Sequence, residues 1–87
     1  MAESKIYRGY PVYSSLFTYS GQHTINSNGY VSLGTVLSGR DILGVLVNSW
    51  GSATGAFSLA MGSGNTLYII GTPNAKVNDL GVKVLYR

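Results

Sequence analysis

Leu80-Gly81-Val82-Lys83-Val84-Leu85-Tyr86-Arg87 decides the fold class. Its even positions are Leu, Val, Val and Tyr, and its odd positions are Gly, Lys, Leu and Arg. Successive side chains of an extended chain point to opposite faces. The stretch therefore predicts a strand with one face inward and the other mostly outward. Phe57, Leu59 and Met61 alternate with Ala56, Ser58 and Ala60 in the same way. Tyr13, Phe17 and Tyr19 fall on one face of an earlier segment, with Val12, Leu16 and Thr18 opposite.

Working outward, Ile42-Leu43-Gly44-Val45-Leu46-Val47 is apolar on both faces, which predicts a central strand buried on both sides. Thr66-Leu67-Tyr68-Ile69-Ile70 is similar, and Val31 and Leu33 mark a shorter strand. Asn28-Gly29 is a hairpin-type turn signal, because both residues accept positive φ. Gly51–Gly55 and Gly62–Asn65 are turn clusters of hairpin length. Strands near 42–50, 55–61 and 66–72 are thus expected to form a meander, with Pro73-Asn74 opening a longer connection to the last strand. Val36–Asp41 has room for one helical turn at most. About seven short strands at this spacing predict an all-β chain: a compact antiparallel β-sandwich, jelly-roll-like, or a small barrel. Residues 1–5 are expected to be a flexible N-terminus and 6–87 a single domain.

Between Arg8 and Lys76 only Arg40 and Asp41 carry charge, and they are adjacent. A surface so poor in ions is unusual for a soluble monomer. It suits polar faces that meet another chain or a neutral ligand. The net charge of +3 comes from nine charged residues, most of them near the ends. Nucleic-acid proteins concentrate Lys and Arg on one face, so nucleic acid is not an expected partner. With 87 residues and no cysteine, the core is modest and no disulfide or thiolate site exists. Met-Ala-Glu-Ser-Lys lacks the apolar region of a signal peptide. The longest apolar run, Ile42–Val47, falls far short of the about 20 residues that cross a membrane as a helix, so no membrane insertion is expected.

The short supply of titratable groups argues against an enzyme. A Ser–His–Asp triad would have to use His23, the sole histidine, with Asp41 or Asp79, and no nucleophile elbow is present. A glycosidase pair would need Asp41 and Asp79 to converge. Gly62-Ser63-Gly64-Asn65 lacks the Lys of a phosphate loop and reads as a tight turn. One histidine without cysteine cannot build a zinc site within one chain. Three copies of His23 at a three-fold axis could hold a metal, but an ordinary, partly exposed strand histidine is the simpler reading. No cofactor is expected.

Tyr13-Ser14-Ser15-Leu16-Phe17, Tyr30-Val31-Ser32-Leu33, Asp41–Val47 and Leu80–Arg87, in that order, resemble the small β-sandwich domains that end bacteriophage tail fibres and related receptor-binding proteins. The likeness covers most of residues 10–87 and is one of pattern. It implies a homotrimer at a fibre tip, bound to the rest of the fibre and to a host cell-surface glycan or protein. It also implies a place in the virion after synthesis in the host cytoplasm.

Four residues are candidates for a glycan site. Trp50 ends a strand at a Gly-rich turn and offers either a stacking face for a sugar ring or plain packing. Arg40-Asp41 offers a planar fork beside a carboxylate for hydroxyls or an acidic sugar, or else a loop ion pair. Asn48 is grouped with them. Tyr7, Tyr10, Tyr13 and Tyr19 crowd the first quarter and are expected to pack between subunits. Two other readings stand beside host recognition. One is a purely structural trimerisation cap, chaperone-like fragment or decoration protein. The other is a small barrel that binds single-stranded nucleic acid.

Overall fold

A computed structural model describes residues 11–87. The expected flexible segment 1–5 and the candidates Tyr7 and Tyr10 lie outside the described residues. Seven strands follow in order: β1 (Tyr13–Thr24), β2 (Tyr30–Thr35), β3 (Ile42–Ser49), β4 (Ser52–Ala53), β5 (Phe57–Gly62), β6 (Thr66–Gly71) and β7 (Lys76–Tyr86). A single 3₁₀ turn, Ser63–Asn65, joins β5 to β6. The strands form two antiparallel sheets packed as a β-sandwich. One has the order β1-β7-β3, with β4 also on β7; the other has the order β2-β6-β5. The first and last of these strands pair, and β2 pairs with β6 inside them, while the β3–β7 and β4–β7 pairs cross that of β2 with β6.

The alternation seen in the sequence becomes the core. Leu80, Val82 and Val84 of β7 are fully buried, and opposite them on β1 lie Tyr19, Phe17 and Ser15. From the other sheet Leu67 and Ile69 of β6 meet them, with Ile25, Val36, Ala75 and Val77 completing the core. Full burial of a Val, Leu or Ile side chain stabilises a fold by about 1.5–3 kcal/mol relative to exposure. Strict alternation from Leu80 backwards would turn Asn78 inward, yet Val77 is the buried residue. The register shift between Tyr19 and Gln22 explains this. At the shift Gly21 (φ 82°) and Asp79 (φ 54°) leave the extended region, and Asp79 Oδ1 accepts the Gly21 N–H at 2.9 Å. The left-handed backbone of Asp79 breaks the alternation of β7, so that Val77 before it faces the core as Leu80 does after it.

The expected central strand is corrected. Ile42–Val47 lies at the edge of its sheet, because β7, not β3, is in the middle. Ile42, Val45 and Val47 pack against the core. Leu43 and Leu46 point away from it and are 46% and 44% exposed. The irregularity between Ile42 and Gly44 turns Leu43 outward. An edge strand with outward leucines carries the same apolar run as a strand buried on both faces, so sequence alone could not separate them.

The meander is corrected in part. β5 and β6 form a hairpin through Ser63–Asn65, but β3 belongs to the other sheet. Asn28-Gly29 does lie in a turn, closed by Gly29 N–H donating to Asn26 O at 3.0 Å, but the turn carries the chain from one sheet to the other. Pro73-Asn74 opens a short crossing, not a long one. Asn74 has φ 68°, and the Ala75 N–H donates to Thr72 O, as in a type II turn with Pro in its second position. The two crossings are stapled together, with the Ile25 N–H on Ala75 O and the Asn74 N–H on Ile25 O, both at 2.8 Å.

Candidate functional site

β3 separates the predicted ligand residues. Arg40 and Asp41 precede it, whereas Asn48 lies near its far end and Trp50 just beyond. Eight extended residues span roughly 26 Å at about 3.3 Å per residue. The structure therefore divides the four candidates between two ends of the sandwich.

At the first end, Leu37 (φ 49°) begins a tight turn in which the Arg40 N–H donates to Leu37 O at 3.0 Å. Asn65 holds this turn from the β5–β6 connection, its Nδ2 donating to Leu37 O and Arg40 O, each at 2.9 Å. The turn delivers Asp41 to the end of β7. There the Arg87 Nε–H donates to Asp41 Oδ2 at 2.7 Å. Asp41 is thus paired with Arg87, not with its neighbour Arg40. The Arg40 guanidinium instead lies 4.9 Å from the Tyr86 ring centroid and 5.8 Å from that of Tyr13, and its Nε donates to Arg87 O at 3.4 Å. The two tyrosine rings are 5.7 Å apart and tilted by 36°. Ser15 fixes Tyr86 from below, with Oγ and the phenol oxygen 3.2 Å apart. Pro11, Tyr13, Arg40, Asp41 and Arg87 line an open cleft of about 530 Å³.

At the second end, Trp50 is 55% exposed and stands edge-on to Phe57, ring centroids 5.8 Å apart at 86°. The chain after it is bonded closely to β7. Gly51 N–H donates to Asn78 O, Thr54 N–H to Lys76 O, and Asn78 Nδ2 to Ser52 Oγ. These bonds fix the segment that carries the indole. Val47, Trp50, Ala53, Gly55, Ala56 and Phe57 form a shallow hollow without an ionic side chain. Asn48 is exposed at the register shift between Val47 and Ser49.

A third surface escaped sequence reasoning. β2, β5 and β6 carry no charged residue at all. On their outer face Tyr30 and Tyr68 meet edge-on, centroids 6.0 Å apart, beside Ala60 and Ile70. The period-two pattern places Tyr68 opposite Leu67 and Ile69, and that was the available signal.

The remaining candidates make contacts within this chain. Tyr19 packs against the core of its own chain, and burial raises its phenol above the ordinary 10.0. Tyr13 is half exposed at the Arg40 cleft. His23 stands edge-on to Tyr19, with Nε2 3.1 Å from Tyr19 O; as the Nε2–H tautomer it donates there. Among the described residues no three His, Asp or Glu side chains gather to hold a metal ion. Asp41 and Asp79 do not converge, since one pairs at the end of β7 and the other sits seven residues before Tyr86 in the same extended strand.

No family model, curated protein or solved structure matches the chain.

Proposed function

We propose that this chain is a non-enzymatic recognition domain of the kind that ends bacteriophage tail fibres. It would be a jelly-roll-like β-sandwich that assembles as a homotrimer, joins the rest of the fibre and contacts a glycan or protein on the host cell surface. One observation carries the reading: Trp50 is largely solvent-exposed yet held edge-on by Phe57, in a hollow free of ionic groups. An exposed aromatic face with a second ring beside it suits the C–H side of a sugar ring or a neutral protein surface, because an aromatic side chain has little freedom to lose on contact. The pairing of β2 with β6 inside that of β1 with β7 supports the jelly-roll-like wrap. Three such faces on one tip would raise weak single contacts to useful avidity through effective concentration.

Trp50 is the only tryptophan, so its fluorescence reports on that hollow directly. The test is a glycan array and host-cell binding with the wild type and Trp50→Ala, after light scattering has established the assembly. Recognition predicts a trimer, cell binding, and loss of that binding in a Trp50→Ala variant that still assembles. A monomer at micromolar concentration with no cell binding would end the proposal.

A purely structural cap is the second reading. Leu16, Leu43 and Leu46 favour it, since they stand exposed on the outer face of the first sheet, where another chain could cover them. It predicts the same assembly with no host binding, and loss of assembly when Leu16 and Leu46 are made polar.

A further inference from the structure

We propose that the cleft around Arg40 is a separate binding site for a carboxylate-bearing sugar ring, such as a uronic acid. This goes beyond the reading above, which rests on Trp50 at the other end of β3. Two guanidiniums and one carboxylate meet here. Asp41 is already engaged by Arg87 through a charge-assisted bond of 2.7 Å. Arg40 is different. Its Nε makes one long bond to a backbone oxygen, and its terminal nitrogens meet no acceptor among the described residues. The planar fork is nonetheless held in place by the ring faces of Tyr86 and Tyr13 and by the turn that Asn65 pins. A fixed guanidinium with its outer donors unused is the arrangement that binds a carboxylate in two parallel hydrogen bonds.

The surroundings choose the rest of the ligand. Tyr13, 48% exposed, offers an aromatic face, and Pro11 adds an apolar wall. Asp41 presents carboxylate oxygens that accept hydrogen bonds from hydroxyls. The cleft volume of about 530 Å³ is ample for one sugar ring. A phosphate dianion fits less well, because a single uncommitted guanidinium would face two negative charges beside the Asp41 carboxylate.

The experiment is a titration of the ¹⁵N-labelled full chain with sodium D-glucuronate, D-glucose and sodium acetate, read by amide and Arg Nε–H chemical shifts. D-glucuronate is expected to shift Tyr13, Arg40, Asp41 and Arg87 with millimolar affinity. Glucose lacks the carboxylate and acetate lacks the ring, and each is expected to bind at least about tenfold more weakly. Arg40→Gln is expected to weaken glucuronate binding by about tenfold or more, and Arg40→Lys, which keeps the charge without the fork, to weaken it measurably. Tyr13→Leu, with Arg40 intact, is expected to reduce the preference for glucuronate over acetate. Silence at these four residues, equal shifts with acetate, or full glucuronate affinity in both Arg40 variants would overturn the proposal. Cell binding through Trp50 could survive that result, and loss of cell binding could leave glucuronate binding intact, so the two readings fail separately.

Discussion

Asp41 and Arg87 are joined twice. Their side chains meet at 2.7 Å, and their backbones exchange hydrogen bonds, with the Arg87 N–H on Asp41 O at 3.0 Å and the Asp41 N–H on Arg87 O at 3.3 Å. The backbone pair extends the β3–β7 ladder by one step beyond Ile42 and Tyr86. The ion pair sits on that step with both side chains well exposed, Arg87 at 43% and Asp41 at 58%.

Solvent screens such a pair, so Asp41→Asn is expected to lower stability by no more than about 1 kcal/mol. The difference from wild type in urea unfolding should shrink further in about 1 M salt, where the screening length falls to about 3 Å. A loss above about 2 kcal/mol that salt leaves untouched would mean that this end is far less open to solvent.

The middle of the first sheet is β7, and substitution can separate it from the edge. Leu80→Ala empties a fully buried position and is expected to cost about 2–5 kcal/mol. Leu46→Ala removes the same atoms from an outward position of β3 and is expected to cost less than about 1 kcal/mol in the monomer. Equal losses in chemical denaturation would restore β3 to the centre.

Gly71 closes the first pair of the β5–β6 hairpin, opposite Phe57. A Cβ there would overlap the Ala56 carbonyl oxygen and lie 2.8 Å from Phe57 Cα. Both are backbone atoms and cannot swing aside. Gly71→Ala is therefore expected to destabilise by roughly 1–3 kcal/mol, whereas Gly44→Ala, whose Cβ would meet open space, should change little. Comparable melting temperatures for the two variants would contradict the hairpin geometry.

Tyr19 links stability to alkaline pH. Burial keeps its phenol protonated in the folded chain to a pH above 10.0, the value at which it would ionise when unfolded. The folded state then holds more protons than the unfolded state across that interval, so stability falls as pH rises. The contribution is fully present below pH 10.0 and is lost as pH climbs through the raised folded value. Tyr19→Phe is expected to flatten the decline in urea midpoint above pH 10, and an unchanged slope would refute the link.

Alternation along Phe57–Met61 and Leu80–Tyr86 made the all-β class and the inward set of β7 legible before any coordinates. The Gly62–Asn65 turn was equally plain from its glycines. What stayed hidden was non-local. Nothing near Tyr13 announces Tyr86 as its partner, and nothing near Asp41 announces Arg87, 46 residues away. The Arg40–Asp41 pair drew attention by its isolation, but adjacency suggested a bond between the two that the turn does not make. Trp50, as an aromatic at a Gly-rich turn, and Arg40, as half of an isolated charge pair, were both candidates for a glycan site, and they flank the same apolar run. That run is an extended strand, and extension puts its flanks far apart. The flip at Asp79 was hidden for another reason: a bulge shifts parity without changing composition.

Because β7 partners β1, β3 and β4, the last of the seven described strands in chain order is the one that three earlier strands await. Until it arrives, only the β5–β6 hairpin and its β2 neighbour have mates, and the long loop between Tyr13 and Tyr86 must close at the end. Such an order implies slow, late-committing folding, with unpaired strands meanwhile open to capture by sister chains. Removal of β7 itself would leave β1, β3 and β4 without the strand they share.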